Sequence, residues 1–519
     1  MNAKTTTAAT DARNATRAEL RTTRYDLLVI GGGILGTAVT WTAAQAGLRV
    51  AMIDAGDFAG ATSSASSKLV HGGLRYLQTG SFKLVAENHR ERRILAEKAA
   101  PHLVRPLEFV VPVYRGGPHG AAKLGTGVFL YSALSAFGDG VGRLISPQQA
   151  ADRVPALKVA GMRAAGLYRD HQMNDSRVAV MTVAAAVASG ADVLNHAEVV
   201  ALRTTGGQVT GAEVHDRLDG TAFGVDARLV LNATGPWTDR IRRMEDPAAD
   251  PSVRLSKGAH LVMRQAEPWR AALTTPIDKY RVSFAVPWEG HILLGTTDEE
   301  YDGDPDQMTA GEADITRILA EAGTALSAGQ LRREDLTYAF AGLRALPWSP
   351  GGTSEAKRET VVTRGPVGML SVAGGKWTTF RHIGKMVLDT LATLPGWDLP
   401  HAPRTVVPLP GVASPAAVAH RLQNNASSPA AVPMDPDIAA HLASHYGSLA
   451  FDLARLIRAD PHLGHRIHPS GPDIWAQVVY ARDHEWAVTV DDVTRRRTTL
   501  TVRGLDTPDV RERIRLTLT

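Results

Sequence analysis

The chain of 519 residues is long enough to form two or three domains with large buried cores. Hydrophobic residues make up 44% of it and charged residues 21%, as in ordinary globular proteins, and the net charge of +4 does not indicate a nucleic-acid partner. The chain contains no cysteine, which excludes disulfides, thiol nucleophiles and iron–sulfur clusters. No stretch of the sequence has the roughly 18 uninterrupted apolar residues of a transmembrane helix.

Residues 1–24 are rich in Thr, Ala and Arg and lack the apolar run of a secretory signal. Their composition would also fit an organellar transit peptide, although Asp11 and Glu19 are acidic. A disordered N-terminal tail is the more economical expectation.

A strand, a glycine turn and a helix follow this tail. The apolar run 27–30 leads into Gly31-x-Gly33-x-x-Gly36, and the next residues place their apolar side chains close to one helical face. In a dinucleotide-binding unit Gly31 permits the turn, Gly33 lets a pyrophosphate approach the backbone, and Gly36 allows the helix to pack closely on the strand. The helix N-terminus then offers free N–H groups to the phosphates.

A second apolar run, 50–53, ends at Asp54, about 20 residues after the glycines. An acid at this position accepts hydrogen bonds from ribose hydroxyls and would repel a 2′-phosphate. The order of strand, glycines, helix, strand and acid therefore predicts a bound dinucleotide without a 2′-phosphate, rather than a structural turn alone.

Two polar segments follow Asp54, namely residues 61–68 (ATSSASSK) and residues 71–76 (HGGLRY). Together with the glycine turn they resemble the FAD-dependent glycerol-3-phosphate dehydrogenases, which belong to the larger flavin fold shared with D-amino-acid oxidase. The resemblance covers roughly residues 25–519 and implies FAD as the cofactor.

The resemblance also implies an α/β fold in which a Rossmann-like FAD-binding domain carries an antiparallel-sheet substrate domain and a helical C-terminal domain. We expect the FAD-binding domain over 25–400, with the substrate domain inserted at about 256–343, where apolar and polar residues alternate. The C-terminal domain is expected over 401–519, after a Pro-rich linker.

The cofactor positions implied by the resemblance lie in five places: the glycine turn with Asp54, the hydroxyl-rich segment, two strand ends near 199 and 233, and a second strand–glycine–helix junction near 374. They are Gly31, Gly33, Gly36, Asp54, Thr62, Ser63, Ser64, Ser67, Val199, Thr234, Gly235, Gly374, Gly375, Lys376 and Thr378. A helix N-terminus and a lysine at the second junction would stabilise the negative charge of a reduced flavin.

Glycerol phosphate carries nearly two negative charges, and a buried dianion needs fixed cations, for which arginine is best suited. The matching positions of the substrate site are Arg75, Tyr76, Arg344, Arg364 and Lys376. Arg364 competes with Arg358, because the stretch before it is rich in glycine.

The sequence does not decide whether His71 or His260 is the catalytic base. Both lie in segments similar to the family, and histidine side chains titrate in the pH range that suits a general base. Either could equally be a structural histidine. No metal site is expected.

The resemblance implies oxidation of sn-glycerol 3-phosphate to dihydroxyacetone phosphate, with electrons passing to membrane quinone. We therefore expect a cytoplasmic protein bound peripherally to the inner face of the cell membrane. The sequence does not decide the oligomeric state, and a homodimer is one alternative. The apolar segment 128–137 could lie in the membrane interface, although a core helix is favoured. The alternatives are an oxidase that uses oxygen and gives hydrogen peroxide and, less favoured, an amine oxidase or a flavin-binding protein without turnover.

Overall fold

The computed structural model describes residues 3–77, 80–118, 120–278, 281–350, 359–395, 399–424 and 434–519, except for the side chains of residues 3–8, Arg75 and Asn424. The strands, in chain order, are β1 Arg24–Ile30, β2 Val50–Ile53, β3 Leu69–Val70, β4 Val104–Tyr114, β5 Arg143–Ile145, β6 Met162–Met173, β7 Asp192–Leu194, β8 Ala197–Thr205, β9 Gln208–Asp216, β10 Ala222–Asn232, β11 Val253–Arg264, β12 Ala271–Pro276, β13 Val282–Trp288, β14 His291–Gly295, β15 Glu299–Glu300, β16 Leu336–Pro347, β17 Thr360–Arg364 and β18 Leu370–Gly374.

Helices cover both faces of the first sheet and form most of the C-terminal region. In chain order they are α1 Ala3–Thr22, α2 Ile34–Gln45, α3 Phe82–Ile94, α4 Ala121–Leu134, α5 Pro147–Ala151, α6 Asp175–Ala188, α7 Thr238–Glu245, α8 Glu312–Gly323, α9 Phe380–Ala392, α10 Pro415–Asn424, α11 Pro436–Tyr446, α12 Ala450–Ala459, α13 Trp475–His484, α14 Val490–Asp492 and α15 Pro508–Leu518.

The first sheet contains the predicted dinucleotide unit. Its main strand order is β17-β18-β10-β1-β2-β7, with parallel pairing from β18 to β7, while β9 and β8 extend from β10. Leu27 of β1 pairs with Val50 on one side and Leu229 on the other, so the carboxyl ends of these strands meet at one edge. Helix α2 is apolar on nearly all sides because it packs against the sheet and also against α6 and α9.

The second sheet lies over that edge and is mostly antiparallel. Its main order is β15-β11-β14-β13-β12-β4-β6-β3, with β16 beside β11 and β5 beside β6. The antiparallel region expected at 256–343 is therefore incomplete, because β4 and β6 also belong to this sheet. Strand β4 continues it by pairing in parallel with β12, a contact between segments some 160 residues apart that local patterns do not reveal.

The expectation of a disordered N-terminal tail is wrong for the described residues, which form α1. Leu20 is buried in the core beside the first sheet. The Arg13 guanidinium donates to Asn195 and, at 3.0 Å, to both carboxylate oxygens of Asp216. One apolar anchor and the ion pairs of Arg13 and Arg17 with the buried Asp216 hold this helix in place.

Segment 128–137 lies mainly in α4, and its two faces differ. Val128 and Tyr131 are buried, as the expected core helix requires, whereas Phe129 and Phe137 are 52% and 43% exposed. The core prediction therefore holds for one face only. No described helix combines the length and apolar character needed to cross a bilayer.

Candidate active site

A cavity of about 880 Å³ lies where the carboxyl ends of the parallel strands face the second sheet. Its size is that of a site for a large organic ligand. The predicted residues that line it are Gly31, Gly33, Asp54, Thr62, Ser63, Ser67, His71, Tyr76, Val199, Thr234, Gly235, His260, Arg344, Gly374, Gly375, Lys376 and Thr378. One elongated cavity thus unites both glycine junctions, the hydroxyl-rich segment and the second sheet.

The first glycine turn leaves no room for side chains. Gly31 has φ 104°, and a Cβ on it would lie 2.8 Å from the carbonyl oxygen of Ala233. A Cβ on Gly36 would lie 1.9 Å from the carbonyl oxygen of Gly31, so Gly36 serves packing and does not line the cavity. The Ser63 hydroxyl accepts from the N–H of Ile34 at 2.8 Å, which places the hydroxyl-rich segment at the helix N-terminus.

Asp54 has the environment of a ribose acceptor. Its Oδ2 accepts from the N–H of Gly32 at 2.6 Å and its Oδ1 from the N–H of Gly56 at 2.8 Å. Burial nevertheless raises the pKa of its carboxyl to about 6. The raised pKa means that the buried carboxylate has too few hydrogen-bond donors around it. A ligand with two hydroxyl groups would supply the missing donors.

We expect the affinity for FAD to rise with pH because of Asp54. Ribose hydroxyls favour the ionised carboxylate, so binding lowers its pKa and releases a proton when the pH lies near 6. A fall of the Asp54 pKa to its usual value would make binding about tenfold weaker at pH 5 than at pH 7. Fluorescence titration of the apoprotein measures this, and Asp54→Asn should weaken binding and flatten the pH dependence. An equally steep dependence in the variant would contradict the role of Asp54.

The second glycine junction also lines the cavity, and Trp377 beside it donates to the carbonyl oxygen of Ser63 at 2.9 Å. Gly374 and Gly375 have φ of 79° and 84°, a conformation that favours glycine. The Thr378 hydroxyl accepts from the N–H of His71 at 3.3 Å, so this junction and the HGGLRY segment hold each other. The ammonium group of Lys376 lies 3.7 Å from the ring centre of Tyr76.

Arg344 extends from β16 into the cavity and is oriented before any ligand binds. Its Nη1 donates to Ser256 at 3.2 Å and to the carboxylate of Asp298 at 3.3 Å, and its Nη2 donates to Thr296 at 3.0 Å. Asp298, which the sequence analysis did not single out, thus also lines the cavity. The sequence signal for it was its position three residues after the end of β14 at Gly295.

The two candidate bases differ in their surroundings. His260 bonds through Nε2 to the Ser67 hydroxyl at 2.8 Å, and its ring stacks on Phe340. Burial, then the charges of Arg344 and Lys68, lower the pKa of His260 to about 3. His260 is therefore a neutral, well-packed imidazole and a weak base.

Asp170 lies beneath the HGGLRY segment and was missed in the sequence. Its Oδ1 accepts from the N–H of Gly72 at 3.1 Å and from Arg92, and its Oδ2 accepts from Tyr131 at 2.6 Å. Burial opposes ionisation, but Arg92 and then His71 outweigh it, so the pKa of the carboxyl lies below its usual range. An ionised carboxylate therefore faces His71.

Two predicted positions do not fall where expected. Ser64 does not line the cavity, since its hydroxyl turns back to the carbonyl oxygen of Ala61. Arg364 is exposed and also does not line it, because β17 runs antiparallel to β18 and Thr360, not Arg364, pairs with Gly374. The competing Arg358 lies outside the described residues.

The backbone of Arg75 lies in a short 3₁₀ helix, Leu74–Leu77, beside the cavity-lining Tyr76. Its side chain is outside the described part of the chain, so its role in the substrate site stays a prediction.

Among the described residues, two clusters of histidines and acids come close enough to share an ion, Glu289 with His441 and His445, and Asp57 with His196 and Asp492. Arginines already neutralise both. Arg503 lies 3.3 Å from Glu289, and Arg496 and Arg497 pair with Asp57.

Comparison with known proteins supports the interpretation of this cavity as a cofactor site. The profile of the family described as FAD dependent oxidoreductase matches residues 26–387. Glycerol-3-phosphate dehydrogenase of Synechocystis sp. is 34% identical over 512 residues, which is 93% of this chain and 90% of the relative. The chain belongs to the family of FAD-dependent glycerol-3-phosphate dehydrogenases.

Other members of the family support the same conclusion. Aerobic glycerol-3-phosphate dehydrogenase of Staphylococcus haemolyticus is 32% identical, over 84% of this chain and 80% of the relative. Residues 405–510 match the profile described as the C-terminal domain of alpha-glycerophosphate oxidase. The predicted helical C-terminal domain is thereby confirmed.

The fold is also that of a solved glycerol-3-phosphate dehydrogenase. The structure of the Bacillus halodurans protein complexed with FAD has a TM-score of 0.76 and 25% identity, covering 98% of this chain and 97% of the other. The predicted FAD-binding fold and FAD as cofactor are confirmed.

Proposed function

We propose that this flavoenzyme oxidises sn-glycerol 3-phosphate to dihydroxyacetone phosphate and passes the electrons to membrane quinone. The observation that carries the substrate proposal is the placement of Arg344 and Lys376 in the cavity that contains both glycine junctions. Two fixed cations suit a phosphate dianion. A simple amine or amino-acid substrate would not need both.

In this proposal Arg344 binds the substrate phosphate. Its guanidinium is held by Ser256, Thr296 and Asp298, so little side-chain freedom is lost on binding. Lys376, at the second glycine junction, adds the second positive charge of the cavity and also stabilises negative charge that develops during the reaction.

FAD supplies the acceptor for the hydride at its N5 atom. The hydroxyl proton needs a base, and we infer that His71 takes it, because His260 has a pKa of about 3 and bonds to Ser67. The ionised Asp170 beneath the HGGLRY segment stabilises the imidazolium that His71 would become. Its bond to the N–H of Gly72 also fixes the segment that carries His71.

The substrate proposal is tested with a soluble dye as electron acceptor. Turnover should require the phosphate, so sn-glycerol 3-phosphate should be oxidised while glycerol and D-amino acids at equal concentration are not. Equal rates with glycerol would contradict the role of the cations. Preference for an amino acid would mean that the enzyme catalyses a different reaction of this fold.

The exposed face of α4 supports a membrane-bound acceptor. The rings of Phe129 and Phe137 lie 5.7 Å apart, and Leu144, which lies near Gly125 of α4, is also exposed. Leu124 on the same helix lines the flavin cavity. Exposed aromatic residues on and just after a helix that reaches the cavity suit an enzyme that delivers electrons to a hydrophobic acceptor in a bilayer surface.

Replacing both phenylalanines by serine is expected to release the protein from anionic liposomes and to lower quinone reduction at least tenfold. Dye-linked turnover should stay within twofold of the wild type, because neither ring lines the cavity. Liposome flotation and parallel assays with quinone and dye measure this. Unchanged quinone reduction would contradict the proposed surface, and stoichiometric hydrogen peroxide without quinone would favour the oxidase alternative.

A further inference from the structure

The loop after β2 is packed tightly on the first glycine turn. This ribose loop, residues 54–61, begins at Asp54, and the N–H of Ala59 donates to the carbonyl oxygen of Gly32 at 3.0 Å. A Cβ on Gly32 would lie 2.6 Å from the fully buried ring of Phe58, so ring and turn are in direct contact. Movement of the loop would therefore disturb the backbone that receives the pyrophosphate.

The C-terminal domain contacts the other side of the same loop. The ring of Trp486 meets the ring of Phe58 edge to face, with centroids 5.7 Å apart. The carbonyl oxygen of Trp486 accepts from Asn195 at 2.8 Å, and Asn195 also donates to Asp57 at 3.2 Å. Phe58 thus lies between the C-terminal domain and the glycine turn.

A buried ion cluster fixes this contact. Asp57 accepts from Arg496 and from Arg497, whose Nη2 lies 2.9 Å from its Oδ1. Asp57 and Arg497 are 4% and 0% exposed, so neither charge has water as an alternative partner. Removing either arginine would leave the buried carboxylate of Asp57 with one cation fewer and no water to replace it.

The cluster belongs to the cofactor cavity itself. Arg496 and Asp492 line the cavity together with Asp57. Asp492 accepts from Arg496 at 2.9 Å and pairs with His196 at 3.0 Å, and His196 also lines the cavity. Burial and, to a smaller extent, the charge of Asp57 raise the pKa of Asp54, so Asp57 is also electrostatically linked to the ribose acceptor.

We propose that the C-terminal domain is a clamp for the cofactor: residues 486–497 hold the ribose loop against the glycine turn and thereby set the affinity for FAD. Arg497 and Trp486 do not line the cavity and are positioning residues, since they act through Asp57 and Phe58, whereas Arg496 both holds Asp57 and lines the cavity. The clamp concerns FAD alone and does not depend on the proposed substrate or electron acceptor.

The test measures FAD affinity in the full-length apoprotein by quenching of flavin fluorescence. Arg496→Met and Trp486→Leu should each raise the Kd for FAD at least tenfold, while KM for sn-glycerol 3-phosphate in FAD-saturated enzyme stays within twofold. Arg466→Met is the matched control, because Arg466 pairs with Asp435 and Asp437 on the surface of the same domain. Its Kd should equal that of the wild type.

Coupling is reciprocal, so FAD should also tighten the clamp. In the wild type, hydrogen exchange of residues 486–497 should slow at least tenfold when FAD is added to the apoprotein, and this result is informative even if a variant does not fold. An unchanged FAD Kd in a folded Arg496→Met variant would overturn the proposal. Exchange in 486–497 that is indifferent to FAD would overturn it as well.

Discussion

Replacing Arg344 by methionine is expected to lower kcat/KM for sn-glycerol 3-phosphate by about two to four powers of ten. The variant loses two charge-assisted hydrogen bonds to phosphate, each worth about 1.5–3 kcal/mol, and about 1.4 kcal/mol corresponds to a tenfold change. The flavin absorbance spectrum should stay that of the wild type, because Arg344 belongs to β16 and not to the cofactor junctions. Steady-state assays with a soluble dye acceptor measure the loss.

Arg364→Met provides the matched control for Arg344→Met. Arg364 is exposed at the end of β17 opposite Thr360, which pairs with Gly374, and we expect kcat/KM within twofold of the wild type. A severe loss in this variant, or a loss below threefold in Arg344→Met, would mean that the phosphate binds elsewhere in the protein.

Replacing His71 by asparagine is expected to slow flavin reduction by about two to four powers of ten, the range expected for loss of a general base. Binding of FAD should be retained, because the contact of residue 71 with Thr378 uses the backbone N–H. Anaerobic stopped-flow absorbance isolates this step from reoxidation. The rise of rate with pH that reports the ionisation of the base should also disappear.

His260→Asn distinguishes the two histidines that the sequence left open. His260 is buried and bonded to Ser67, and its pKa of about 3 keeps it neutral throughout the working pH range. Its replacement should slow flavin reduction less than tenfold and leave the pH profile in place. If flavin reduction instead slowed more in His260→Asn than in His71→Asn, His260 would be the base.

The sequence could predict the cofactor end of the cavity because its determinants are local. Gly31, Gly33 and Gly36 follow one strand directly and Asp54 follows the next, so the spacing alone defines the unit. Parallel pairing then brings the ends of β1 and β2 together. The resemblance extended this to Ser63, Gly374 and Lys376, which line the same cavity.

Features that depend on contacts between distant segments could not be predicted from the sequence. The position of Arg364 depends on the direction of β17, which only its pairing with β18 defines. Asp170 and Asp57 are single acids in ordinary surroundings until folding places Arg92 and Arg497 beside them. Helix α1 has weak apolar character and gains its order from Asp216, some 200 residues away.

The most direct test of the proposed function is anaerobic titration of the purified protein with sn-glycerol 3-phosphate, followed by flavin absorbance. We predict that the oxidised flavin band bleaches without any added acceptor, and that glycerol at the same concentration leaves it unchanged. Bleaching would establish both the cofactor and the reductive half-reaction. A flavin that stays oxidised in the presence of sn-glycerol 3-phosphate would contradict the proposed substrate.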